Sequence, residues 1–141
     1  MDDNPKKQFG ALKAPMHCVP NTALIELNAV MGGGAHKYGI YNFRDTNIDA
    51  MTYIAAIRRH LFLWEDGEDI DEESRRSHLA HIMACCALAL DAQWTGKLVD
   101  NRSKTGLTGT ILRACAADHN AFCEEYDKKP AGVLTIGIPN E

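Results

Sequence analysis

From Ile82 to Leu90 the chain reads IMACCALAL, with no polar side chain in the run. Successive residues of an α-helix are turned by about 100°, so a helix built from this stretch is apolar on every side. Such a helix cannot lie on a surface with one face in water. It is central to a domain or buried where subunits meet. The run is far short of the roughly 20 residues that span a bilayer, and no longer apolar run exists in the chain. Its flanks define its ends: Ser77 offers a hydroxyl to cap the first turn, and Thr95-Gly96 supplies a stop after Trp94.

The remainder reads as helices that such a core could gather. Residues 1–19 form an arm in which Pro5, Gly10 and Pro15 interrupt any period. Pro20-Asn21-Thr22 starts a first helix, with Ala23, Leu24, Leu27, Val30 and Met31 at helical spacing. The run Gly32-Gly33-Gly34 is expected to end it. Residues 35–48 read as a structured loop or a turn of helix. Asp49 caps a second helix, whose apolar stripe is Ile54, Ile57, Leu61 and Trp64 and which ends near Asp66-Gly67. An acidic connection from Glu68 to Ser77 leads into the apolar helix. Residues 101–110 read as a loop, and SKTGLTGT within them lacks the spacing of a phosphate loop. A fourth helix over 111–126 and a strand-like or extended tail follow. The predicted fold class is all-α, a small helical bundle with an irregular C-terminal arm. Its parts are an arm over 1–19, a helical domain over 20–126 and a tail over 127–141.

Composition narrows the function classes. At 141 residues, 45% hydrophobic and 24% charged, the chain reads as one soluble globular domain. A net charge of −4 argues against broad nucleic-acid binding, which asks for a basic face, but not against a small phosphate ligand. The N-terminus MDDNPKKQFG has no apolar signal segment. The cysteines form no CxxC pair, which excludes zinc-finger spacing and points to a reducing compartment, the cytoplasm. Cys85 and Cys86 are expected to be small core residues. Neither a membrane nor a nucleic acid is expected as a partner.

Chemistry concentrates between Arg58 and His81, in RRHLFLWEDGEDIDEESRRSHLAH. His78 and His81, three apart on a helix, share a face. Alone, such a pair is more often structural than metal-binding. Glu68, Asp71 and Glu73 lie just upstream, within reach of that helix's first turn. Carboxylates and imidazoles meeting at a helix junction are what a divalent cation needs, with Mn²⁺ accepting nitrogen more readily than Mg²⁺. The plain alternative is a solvated acidic loop at a helix N-terminus. One of Arg58 and Arg59 is expected to face inward, either to pair with these acids or to hold a phosphate. Lys37, Tyr38, Asn42 and Arg44 form either a solvated loop or a lip for base and phosphate, with Tyr38 or Phe43 able to stack. Glu26, among apolar neighbours, is expected to be partly buried. No G-x-S-x-G or nucleophilic cysteine pattern exists, so a metal-activated water is the better nucleophile.

The segments AHKYGIYNFR and AAIRRHLFLWEDGEDIDEESRRSHLAHIMACCALAL resemble the phage-associated dATP/dGTP diphosphohydrolase family. That family runs roughly as GAxKYGxxNW, then RHLxxxxxGExxDxESGxxHLAH, then an apolar helix. The matching positions are Lys37, Tyr38, Gly39 and Asn42, then Arg59, His60, Gly67, Glu68, Asp71, Glu73, Ser74, His78, Leu79 and His81. Phe43 stands where Trp is usual and Arg75 where Gly is usual. The resemblance covers about residues 10–95. It implies an all-α fold akin to MazG-like nucleotide pyrophosphohydrolases, with the HLAH pair standing where those enzymes carry ExxD.

The expected function is therefore a cytoplasmic, metal-dependent pyrophosphohydrolase. It would convert a purine deoxynucleoside triphosphate, dGTP or dATP, to the monophosphate and pyrophosphate and so shape the nucleotide pool in phage infection. Glu68, Asp71, His78 and His81 are expected to hold Mg²⁺ or Mn²⁺, with Co²⁺ or Zn²⁺ as alternatives. Glu68, Asp71, Glu73 and His60 are the expected catalytic residues. Lys37, Tyr38, Asn42, Arg44 and Arg59 are expected to bind substrate. A homo-oligomer, dimer or tetramer, is the expected assembly. Three readings compete: an HD-like triphosphohydrolase, a nucleotide-binding sponge without turnover, and a structural phage protein whose acidic cluster is merely solvated.

Overall fold

The computed structural model describes residues 5–10 and 13–128. Two compact units divide the chain, residues 1–102 and residues 103–141. In the first, helix α1 spans Pro5–Gly10, so the expected arm contains a short helix, followed by a 3₁₀ turn at Met16–Cys18. Helix α2 spans Asn21–Tyr38, α3 Asn42–Asp45, α4 Ala50–Glu65 and α5 His78–Thr95. Two-residue strands β1, Ile48–Asp49, and β2, Leu98–Val99, pair in parallel with Ile48 opposite Leu98. The expected small all-α fold is what the described residues form. The pairing of β1 with β2 was not foreseen, because two residues leave no alternation to read.

Helix α2 runs straight through Gly32-Gly33-Gly34. Glycine weakens a helix by about 1 kcal/mol per residue but does not stop it unless one takes a left-handed conformation. The residue that does so is Gly39, at φ +98°, whose N–H closes the last turn onto the Ala35 carbonyl at 2.9 Å. Residues 35–38, expected in a loop, therefore belong to the helix.

The caps of α4 and α5 are those read from the sequence. The Asp49 carboxylate accepts from the Thr52 N–H at 2.9 Å, and the Ser77 hydroxyl accepts from the Leu79 N–H at 3.2 Å. Asn101 adds a second cap to α4: its Oδ1 accepts from the Met51 N–H at 3.0 Å, while its Nδ2 donates to Asp49 at 2.7 Å. At the far end of α5, Gly96 takes the left-handed conformation.

Packing centres on α5, which lies against α4 and α2. Its inner side buries His78, Ala80, Ala84 and Ala92, and small residues there let the neighbouring helices approach closely. Its outer stripe stays open among the described residues: Leu79, Leu90 and Trp94 are exposed, and so is Cys86, contrary to the expected core role. Cys85 is half-buried. On α4 the inward stripe contains Tyr53, Ile54, Ile57, His60 and Leu61, while Trp64, expected in the stripe, is exposed. Both Arg58 and Arg59 are exposed, so neither faces inward; the inward position at that turn, three beyond Ile57, belongs to His60. Glu26 is exposed rather than partly buried.

In the second unit, Gly106 precedes α6, Leu107–Asp127, which begins earlier than the fourth helix read from the sequence and absorbs part of the expected loop. The tail beyond residue 128 and its expected extended form lie outside the described residues. No helix among the described residues is long and apolar enough to cross a membrane.

Candidate active site

The acidic connection between α4 and α5 is folded, not loose. Gly67 turns the chain at φ +96°, and the Glu68 N–H bonds the Leu63 carbonyl at 3.0 Å. An antiparallel bridge joins Ile70 to Ser77, and the Asp71 N–H donates to the Arg76 carbonyl at 2.9 Å. The tip of this small loop is closed by Asp71, whose side chain accepts from the Ser74 N–H at 2.8 Å. Arg75 sits in the tip at φ +59°, a left-handed conformation that favours glycine. This is the position where the resembling family usually carries Gly.

The loop brings its carboxylates to three imidazoles. His78, the first residue of α5, is fully buried and bonded on both nitrogens. Its Nε2 lies 3.1 Å from Glu68 Oε1, and its Nδ1 lies 2.8 Å from His60 Nδ1. A carboxylate only accepts, so His78 Nε2–H donates to Glu68, and the other ring nitrogen, Nδ1, is turned toward His60. The His60 ring stacks on His81, with centroids 4.5 Å apart and planes 12° from parallel. His81 Nε2 lies 2.7 Å from Ser74 Oγ and 3.9 Å from Asp71 Oδ2.

Electrostatics sort these groups by charge. Burial holds His60 below the usual histidine range, and the neighbouring His81 and His78 add to the effect. Burial likewise lowers His81, against the opposing pull of Asp71. Both rings are therefore neutral at pH 7, with lone pairs available. For Asp71, burial pushes the carboxyl up, but hydrogen bonds from the Ser74 hydroxyl and N–H outweigh it, and the group stays ionised. Ser74 Oγ accepts from the Arg76 N–H at 3.2 Å and pairs with His81 Nε2, and the ionised Asp71 oxygen 3.9 Å from that same nitrogen favours the tautomer with its proton there. That leaves the His81 lone pair on Nδ1.

A donor from each of His60, Asp71 and His78 lies within 4.8 Å of the other two. Ligands at right angles around a divalent cation, each about 2.1 Å from it, are about 3 Å apart. The His60 to His78 nitrogen spacing of 2.8 Å is close to that value, and holding a cation there would require His60 to carry its proton on Nε2 rather than on the nitrogen facing His78. Glu68, on the far nitrogen of His78, stands where a metal-binding histidine usually finds its orienting carboxylate.

Two cavities open beside the cluster, against α2. The larger, about 500 Å³, is lined by Gly33, Gly34, Lys37, Glu73, Arg76 and His81 among others. Lys37 pairs with Glu73 across it, and the hydrogen bond to that carboxylate raises the lysine further above neutrality. The smaller, about 200 Å³, is walled by Met31, Ile40, Phe43, Tyr53 and Leu88, with Asn42 as its amide. Val30, Gly34, Tyr38 and His81 line both.

Of the residues singled out in the sequence, Glu68, Asp71, His60, His78 and His81 thus lie together, and Lys37, Tyr38, Asn42 and Glu73 line the adjoining cavities. Arg59 lines neither. Arg44 lines neither as well; its guanidinium is held by both oxygens of Asp91 at 2.6 Å, with its carbon 5.7 Å from the centre of the Phe43 ring. Sequence reasoning gave no role to Arg76. Its only signal was a cation two positions before His78, in a loop bound to fold over the start of α5.

The family described as dATP/dGTP diphosphohydrolase, N-terminal, matches residues 3–102. No curated protein and no solved structure matches the chain.

Proposed function

We propose, because the chain belongs to the dATP/dGTP diphosphohydrolase family, that it is a metal-dependent pyrophosphohydrolase of purine deoxynucleoside triphosphates. The single observation that carries the reading is the cluster of His60, Asp71 and His78 beside a cavity bearing Lys37. The donor set fits a divalent cation, and two imidazoles with one carboxylate suit Mn²⁺, Co²⁺ or Zn²⁺ better than Mg²⁺. His60, Asp71 and His78 would hold it, and Glu68 would orient His78. Such an ion supplies charge neutralisation on the phosphate chain and makes a water more acidic.

The chain's own residues do the rest. His81 is kept neutral by burial and tied by Ser74 to Asp71, so its Nδ1 can take a proton from the attacking water. Lys37 holds negative charge on the leaving phosphates, exchanging Glu73 for them. Arg44, anchored by Asp91, supports Phe43 and with it the wall that a purine ring would stack on. The biological setting that suits this activity is control of a nucleotide pool in the cytoplasm of a phage-infected cell.

The histidine-rich donor set also favours a second reading, release of whole triphosphate as in HD-type enzymes. Product analysis separates the two. Incubation of dGTP or dATP with Mn²⁺ is expected to yield monophosphate and pyrophosphate. Deoxynucleoside and triphosphate would move the protein to the second class, and an intact nucleotide that still binds would make it a sponge. His81→Ala is expected to keep the fold and lose at least about 100-fold in kcat, the scale of a lost general base. Full turnover in that variant removes His81 from the chemistry.

A further inference from the structure

The two cavities differ in chemistry, and that difference orients a ligand. The larger has charged walls. Lys37 is already paired with Glu73, but among the described residues the Arg76 guanidinium makes no hydrogen bond and no ion pair, although its backbone is fixed by Ser74 and Asp71. A guanidinium is always charged and presents a planar fork of donors that matches a phosphate. The smaller cavity is aromatic and aliphatic, and its Asn42 amide offers both a donor and an acceptor. The wall common to both carries His81, and Gly34 at the same place has open space where a Cβ would stand.

We infer that a deoxynucleoside triphosphate lies across both cavities, base against Tyr38, Phe43 and Tyr53 and outer phosphates on Arg76 and Lys37, with Arg76 a substrate-binding residue. This rests on the nucleotide reading above and adds the pose. The part of the ligand between base and outer phosphates, the sugar and α-phosphate, then falls at the shared wall beside His81. Cleavage near that wall releases the outer phosphates together, as pyrophosphate. The bare backbone at Gly34 keeps the passage between the cavities clear, which is a use for a glycine that otherwise only weakens α2.

The test is titration of the full chain, without divalent metal, with inorganic tripolyphosphate and separately with deoxyguanosine. Arg76→Ala is expected to weaken tripolyphosphate at least about 10-fold, as loss of a charge-assisted bidentate contact does, with Arg76→Lys restoring part of it. Deoxyguanosine should bind both variants like the parent. Gly34→Leu, a change that favours the helix, is expected to keep or raise Tm while dGTP binding falls at least about 10-fold, as a blocked passage requires. Unchanged tripolyphosphate affinity in Arg76→Ala overturns the pose, as does dGTP binding by Gly34→Leu at parental strength. The two readings fail separately. If the parent binds both probes in the expected way but cleaves no nucleotide, the hydrolase reading falls and the pose stands. If dGTP is cleaved while Arg76→Ala is silent, the reverse holds.

Discussion

Arg75 is the residue whose backbone the sequence pattern foreshadowed. The resembling family carries glycine there, and the structure supplies the reason, because φ at this position is +59°. A non-glycine residue in that conformation costs about 1–2 kcal/mol, and glycine's extra freedom in the unfolded chain returns roughly 0.5–1 of it. Arg75→Gly is therefore expected to stabilise the protein by about 0.5 kcal/mol, a small rise in Tm by calorimetry. A fall in Tm would mean that the Arg75 side chain makes a contact worth more than the strain. Ser74 beside it shows the same dependence on local geometry. Its N–H bonds Asp71 while its hydroxyl meets His81 and the Arg76 N–H, three partners brought together by one tight turn.

At the scale of elements, the start of α4 carries a stability device that responds to pH. Asp49 accepts from the Thr52 N–H and side chain, which hold its carboxyl below the ordinary value of 3.8; a bond from Asn101 helps. A carboxyl lowered by folding stabilises the native state fully above its unfolded pKa, and the benefit is lost as pH falls through the folded value. Asp49→Ala is expected to lower Tm by about 3–6 °C at pH 7, the size of a lost helix cap. Asp49→Asn keeps the cap but not the charge. Its deficit against the parent should be constant above pH 3.8 and should close below it. Melting curves from pH 7 to pH 2.5 measure this, and a deficit unchanged across the range removes Asp49 as the titrating group. The capped ends of α4 and α5 needed no tertiary information. Ser77, Gly96 and Asp49 act on N–H and carbonyl groups within one turn, so short-range sequence was enough to read them.

At the scale of the whole molecule, α5 is the element whose apolar demand the described residues leave partly unmet. The sequence made it apolar on every side, yet among the described residues a stripe of Leu79, Cys86, Leu90 and Trp94 stays uncovered, with Trp94 89% exposed. Phe62, Leu63 and Trp64 at the end of α4 are exposed too. Apolar surface of this extent is normally covered by another subunit. The protein is expected to run in light scattering at no less than twice its monomer mass of 15.6 kDa. A monomer at micromolar concentration would leave this surface exposed in solution and contradict the expectation. Substitution of Trp94 by Glu should shift the assembly toward monomer while preserving helix content.

The sequence by itself determined the all-α class, the capped ends of α4 and α5 and the gathering of acids and histidines between residues 60 and 81. Each of these follows from helical period or from groups a few residues apart. Only the tertiary structure decided which groups meet. Period places His60 on the inner face of α4, but the crossing of α4 on α5 is what sets its ring against His78 and His81. The same crossing leaves Arg59 outside. Glu68 and Asp71 looked equivalent as acids, yet the loop's fold puts Glu68 on the far nitrogen of His78 and keeps Asp71 with the cluster. The run Gly32-Gly33-Gly34 read as an end because glycine's local cost is visible in sequence. Its place against a cavity is not, because the loop that forms the opposite wall lies some forty residues away in the chain.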